Sequence, residues 1–242
     1  MGRGIPLSEL TFFTKSNPPD ASYNYKSGAA FLVNKPKDWS SFDVVKYLRK
    51  AIDIKKVGHA GTLDPMATGL LIVCCGKATK SIEQIQQLHK KYLAEITFGA
   101  STPSYDAETE VEKTAPFEHI NQKLREVLDQ HFSGTIEQVP PMYSALKYGG
   151  RPLYKLAREG KEVKRHARQI TIYETEILRF DLPQVELKVE CGKGTYIRSM
   201  AHDLGTHLGS LAHLTALERT AIGEYSNSDA LTIEQLSEME LS

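Results

Sequence analysis

The segment VGHAGTLDPMATGLLIVCCGKATK, Val57 to Lys80, restricts this chain more than any other. It sets one carboxylate, Asp64, in a loop bearing Gly58, Gly61 and Gly69, and an apolar run from Leu70 to Cys75 follows at once. Glycine supplies backbone freedom for a turn or for the close approach of a ligand. Pro65 biases Asp64 away from helical geometry and stiffens the loop. Such a loop presents either the Asp64 carboxylate or the backbone N–H groups beside it. Gly76-Lys77 has the outline of a phosphate loop, which needs G-x-x-x-x-G-K-[ST]. Here six residues separate Gly69 from Gly76, and Ala78 stands where the metal-binding hydroxyl belongs. The carboxylate is what remains.

The flanking pattern is that of a mixed chain. Ala30 to Val33 reads as a strand broken at Asn34-Lys35-Pro36. Ser40 and Asp43 have capping-box spacing, and Val44, Val45, Leu48 and Ile52 then recur at helical spacing. Ile82, Ile85 and Leu88 predict a second helix, and Ile120, Leu124, Val127 and Leu128 a third. Tyr92, Ala94, Ile96 and Phe98 alternate as a strand does, while 170–180 and 185–191 form a hairpin through Asp181-Leu182-Pro183-Gln184. A helix with Ile197, Met200, Ala201, Leu204 and Leu208 follows the turn GKGT, and TIEQL closes the chain as a short capped helix. Strands and helices intersperse without a βαβ period. That predicts an α+β fold with a mixed, mostly antiparallel sheet flanked by helices. Residues 1–29, polar and with Pro18-Pro19, read as an N-terminal extension or loosely attached arm; 30–242 read as the main domain.

A formal net charge of +0 predicts no nucleic-acid partner, so distribution must decide. Between Lys147 and Arg168, eight Lys and Arg stand against two Glu, within an insertion spanning about 140–168. Tyr143, Tyr148 and Tyr154 interleave with them. Cations for phosphates and aromatic faces for unstacked bases are what looped RNA requires. A solvated helix face would carry the same charges. Cys74, Cys75 and Cys191 offer neither a disulfide framework nor a metal pattern and read as buried thiols. No apolar run has membrane-spanning length, and the N-terminus lacks a signal-peptide core, so the cytoplasm is expected.

With the glycine loop, the strand opening at Tyr92 and the turn GKGTYIR described, the chain resembles the tRNA pseudouridine synthase B family over roughly residues 30 to 225. NKPKDWSSFDVV resembles the first family motif and GHAGTLDPMATGLL the catalytic loop; KKYLAEITFG, VPPMYSALKYGGRPLYKLAREG and CGKGTYIRSMAHDLG follow in family order. The resemblance implies the pseudouridine synthase fold. It also implies isomerisation of the T-loop uridine at tRNA position 55, by base flipping and re-formation of the glycosidic bond. Asp64 matches the essential aspartate, Tyr92 the tyrosine stacked on the flipped uracil, and Arg198 the arginine paired with that aspartate. His59 matches a histidine that helps hold the rearranged T-loop. Tyr143, Lys147, Arg151, Lys155 and Arg158 are the expected RNA contacts of the basic segment.

A carboxylate can act at C1′ without a metal, so no metal and no cofactor are expected. The implied partner is the tRNA T-arm, engaged by a monomer. Family members commonly continue into a small PUA-type RNA-binding domain. About two dozen residues after the last family-like strand are too few for one, so a form lacking it is expected. An RNA-binding or tRNA-folding module with secondary or lost catalysis is the alternative.

Overall fold

The computed structural model describes residues 4–239 and Leu241. The chain forms two compact units, residues 1–92 with 217–242, and residues 93–216.

In the first unit, β2 (Ala29–Lys35) pairs antiparallel with β4 (Thr68–Cys75) along its whole length. The opposite edge of β4 is divided. β3 (Val57–His59) pairs with Val73–Cys75, and β13 (Ala212–Ile222) runs parallel to it at Thr68 and Gly69. Strand β4 reads as a continuous apolar run because both of its faces are covered. Val44, Val45 and Leu48 of α1 (Ser41–Ala51) and Leu236 of α6 (Ile233–Glu238) pack with Leu71 and Val73. Ile85 of α2 (Ile82–Gln87) packs with Leu70, Ile72 and Cys74 on the other side. The capping box expected at Ser40 is present, and the closing helix, expected to be capped, begins with a second one at Thr232. Strand β2 is longer than expected, running through Lys35 before Pro36 ends it.

Residues 4–29 correct the expectation of a loosely attached arm. β1 (Phe12–Phe13) pairs parallel with β2, and Leu10, Phe13 and Tyr25 are buried. The Phe13 ring lies 5.1 Å from Phe31, and Tyr25 stacks on Phe31 at 5.8 Å. Ser16 donates to Asp229 at 2.7 Å and ties the segment to the C-terminal region. The sparse aromatics, not the polar majority, set its fate: each buries a large apolar area.

β5 (Lys90–Phe98) enters the second unit at Leu93 and neighbours β12 (Gln184–Cys191), followed by β11 (Arg168–Asp181) and β8 (Gly134–Gln138), while β6 (Ala100–Ser101) pairs with β7 (Lys113–Thr114). The β11–β12 hairpin turns at Asp181–Gln184 as expected, with register irregularities that bend its long strand. Helices α3 (Leu124–His131) and α5 (Ile197–His207) contribute Leu124, Leu128, Met200 and Leu204 to the buried interior. The basic segment folds as a β9–β10 ribbon (Lys147–Tyr148 with Arg151–Pro152) leading into α4 (Leu153–Arg158). Leu153 and Leu156 pack on Met142, which leaves Lys155 and Arg158 on the solvent face.

Candidate active site

The Asp64 loop is held by its backbone. Lys35, fully buried, donates to the carbonyls of Pro36 at 2.8 Å, Trp39 at 2.5 Å and Pro65 at 3.3 Å. Ser41 exchanges hydrogen bonds with Leu63, its hydroxyl donating to the carbonyl at 3.0 Å and accepting from the amide at 2.8 Å. Asp38 N–H donates to the Pro65 carbonyl at 2.8 Å, and Ala67 N–H closes a turn on the Asp64 carbonyl at 3.1 Å.

Arg219 completes the support. Its side chain is buried, yet among the described residues it pairs with no carboxylate. It directs its donors to the carbonyls of Leu70 at 2.7 Å, Gly61 at 3.1 Å and Thr62 at 3.5 Å. Hydrogen bonds from a charged donor are the stronger kind, and here all three end on the segment that carries Asp64. The glycines serve this packing. A Cβ on Gly69, whose φ is +98°, would lie 2.4 Å from the Arg219 carbonyl oxygen, so the close approach at that position belongs to β13 rather than to a ligand.

His59 lies in β3 beside this support. Burial first, and the Arg219 charge second, hold its imidazole below the usual histidine pKa, which keeps it neutral near pH 7. Tyr92 is 8% exposed and lies on the buried face of β5 with Ala94, Ile96 and Phe98.

In the second unit Arg198 occupies the first turn of α5, where the helix dipole disfavours a cation. Its surroundings explain the placement. Nη1 lies 3.3 Å from Oδ2 of the fully buried Asp106 and donates to the Ser104 carbonyl at 3.2 Å, while Nη2 donates to the Tyr143 carbonyl at 2.8 Å. Asp106 is itself fastened, its Oδ1 accepting from Ser104 Oγ at 2.5 Å and from Glu108 N–H at 3.0 Å. The helix start lacks a side-chain cap. The Gln138 amide instead accepts from Tyr196 N–H at 2.8 Å and donates to the Tyr196 carbonyl at 3.0 Å.

The expected RNA contacts divide. Lys147, Arg151, Lys155 and Arg158 are exposed, with Arg151 paired to Glu159 and Arg158 set 5.6 Å from the centre of the Tyr154 ring. Tyr143 is half-buried, bound to Arg198 through its backbone. Sequence reasoning missed Lys35, Asp106, Gln138 and Arg219. The one legible signal was Arg219, a cation beside Glu218 within the strand pattern LTALERTAI. No group of three or more His, Cys, Asp and Glu that could hold a metal occurs among the described residues. No described helix is long and apolar enough to cross a membrane.

Asp64 thus sits on a braced glycine loop in the first unit, and in the second Arg198, held by Asp106, opens helix α5. The chain is similar to a chain in the crystal structure of a Cbf5-Nop10-Gar1 complex, with a TM-score of 0.64 and 28% identity over 92% of this chain and 56% of that one. It thus spans little more than half the length of that chain. Residues 49–197 match the TruB family pseudouridylate synthase (N terminal domain), and residues 198–242 match the tRNA pseudouridylate synthase B C-terminal domain. The chain belongs to the TruB family of pseudouridylate synthases. It is 48% identical over 225 residues to tRNA pseudouridine synthase B of Bacteroides thetaiotaomicron, covering 89% of this chain and 94% of that protein. It is 47% identical over 209 residues to tRNA pseudouridine synthase B of Francisella tularensis subsp. holarctica, covering 86% and 69%.

Proposed function

We propose that this protein converts uridine to pseudouridine at position 55 in the T-loop of tRNA, in the cytoplasm, acting as a monomer on the T-arm. Family membership supports the reaction class, and the relatives named tRNA pseudouridine synthase B support the substrate. The observation that carries the reading is the bracing of the Asp64 loop by Lys35, Ser41 and Arg219, which holds one carboxylate in place at the cost of two buried cations.

The reaction breaks N1–C1′, turns the uracil and joins C5 to C1′; the C5 proton is lost and N1 gains one, so nothing is oxidised and no water is consumed. Asp64, ionised, acts at C1′. Flipping the uridine removes its stacking, and the Tyr92 ring restores about 1–3 kcal/mol of it. Arg198 is the guanidinium of the catalytic set, and the Asp106 ion pair supports that role by fixing its side chain. His59, Tyr143, Lys147, Arg151, Lys155 and Arg158 contact the RNA, the exposed cations through phosphates.

The test is direct. A T-arm hairpin incubated with the protein should yield pseudouridine at the one loop uridine, and Asp64→Asn should yield none. Binding without product by the unsubstituted protein would favour a folding module instead.

A further inference from the structure

We propose that Gln138 is a positioning residue for the reaction: through the backbone of Tyr196 it sets the place from which Arg198 extends. The inference rests on the functional reading above, in which Arg198 belongs to the catalytic set.

A buried amide at this place needs a reason. Gln138 ends β8, at the edge of the sheet, and is 3% exposed, while the rest of that strand is exposed or half-buried. Apolar side chains are the usual occupants of such a position. Both polar atoms of Gln138 are instead committed to one residue of another element. Oε1 accepts from Tyr196 N–H at 2.8 Å, and Nε2 donates to the Tyr196 carbonyl at 3.0 Å. These partners fix the orientation of the amide, because a backbone N–H only donates and a carbonyl only accepts.

Helix stability alone does not call for this arrangement. A helix start is ordinarily capped by Ser, Thr, Asp or Asn at the N-cap position itself. Here Tyr196 holds that position without a side-chain cap, and the cap arrives from a residue 58 positions earlier in the chain. A local cap ties a helix end to itself, whereas this one ties α5 to the sheet. A carboxylate would suit the positive end of the helix better, but it has no donor for the Tyr196 carbonyl. Two bonds to one residue fix its orientation as well as its place; a single bond leaves it free to pivot.

The neighbouring contacts act in the same direction. Ser199 Oγ donates to the Val139 carbonyl at 2.8 Å, so residues on both sides of Arg198 are fastened to consecutive residues at the end of β8. Arg168 pairs with Gln138 across β11 and β8. Its guanidinium lies 5.0 Å from the centre of the Tyr196 ring and donates to the Gly194 carbonyl at 2.8 Å. Asp106 and the carbonyls of Ser104 and Tyr143 hold the tip of Arg198, and Gln138 holds its root. A misplacement of about 1 Å at a catalytic group costs on the order of a hundredfold in rate, so both ends must be fixed.

The test compares Gln138→Met, which fills a similar volume and removes both hydrogen bonds, with the unsubstituted protein. Tm, the kcat and KM of pseudouridine formation in a T-arm hairpin, and the Kd by fluorescence anisotropy are measured. Expected is kcat lowered at least about tenfold in protein that is folded at the assay temperature, with KM and Kd within about threefold. A cap that serves stability alone lowers Tm and leaves the kcat of the folded protein unchanged, and that result overturns the proposal. So does a loss carried by KM and Kd. Gln138→Glu keeps the acceptor, lacks the amide donor and repeats the comparison should the Met variant fail to fold; the same kcat loss is expected of it, and an unchanged kcat overturns the proposal. Product from the unsubstituted protein with unmoved kcat in the variants overturns the role of Gln138 alone. No product from the unsubstituted protein overturns the functional reading with it.

Discussion

Arg198 Nη1 lies 3.3 Å from Asp106 Oδ2, and that oxygen, fully buried, makes no hydrogen bond besides this ion pair. The carboxylate is therefore the element that lets a cation occupy the positive end of α5. Asp106→Asn keeps the shape and removes the anion. Turnover on a T-arm hairpin should fall at least about tenfold while Kd changes little. Breaking a buried pair costs about 3–5 kcal/mol, so urea unfolding should also show a loss near the lower end of that range. Unaltered turnover would separate this pair from the chemistry.

Asp64→Asn should bind the hairpin within about threefold of the unsubstituted protein, roughly 0.7 kcal/mol, and form no pseudouridine. The amide fills the same space but carries no anionic oxygen. Anisotropy and product mapping on the same samples report both halves of the expectation.

Arg219→Met should damage the Asp64 loop without touching RNA. Three carbonyls lose their donor, and each buried unpaired group costs about 1–3 kcal/mol, so a loss of roughly 3 kcal/mol or more is expected in chemical unfolding. Arg219→Lys keeps the charge but not the fork, and should recover part of the stability with a lower kcat than the unsubstituted protein.

Alanine at Lys147, Lys155 and Arg158 together should weaken RNA binding and flatten its salt dependence. For every phosphate no longer neutralised, the slope of log K against log salt should become shallower by about 0.7–0.9. Among the described residues none of the three forms an ion pair, so their removal leaves no buried charge behind. An unchanged slope would mark a solvated face.

Burial pushes the Asp203 carboxyl up from 3.8 to about 6. Between those values the folded protein holds a proton that the unfolded chain releases, so this group's contribution to stability falls as pH rises from about 4 to 6. Above pH 6 the penalty is complete. Asp203→Asn should therefore raise Tm more at pH 7.5 than at pH 4.5, as read by thermal denaturation at the two pH values.

Much of the frame was legible because local rules and tertiary packing agree in it. Val44, Val45 and Leu48 repeat at helical spacing and become the buried stripe of α1, while Tyr92 through Phe98 alternate and are buried in alternation. Asp64, Tyr92 and Arg198 were named because motifs preserve residue type and order. Asp106 escaped notice because its partner lies on a helix 92 positions further along the chain. Nothing in the polar composition of 1–29 announced that Phe13 and Tyr25 would join Phe31 in a core.

The sequence by itself determined the periodic elements, the caps and the hairpin turn, and singled out Asp64 as the candidate carboxylate, because each is written in residues within a few positions of one another. Only the tertiary structure decided what braces that carboxylate and what anchors the arginine. Lys35 and Arg219 approach the loop from β2 and β13, and a buried cation must find oxygen wherever the fold delivers it. That delivery depends on strand register, which no local spacing encodes.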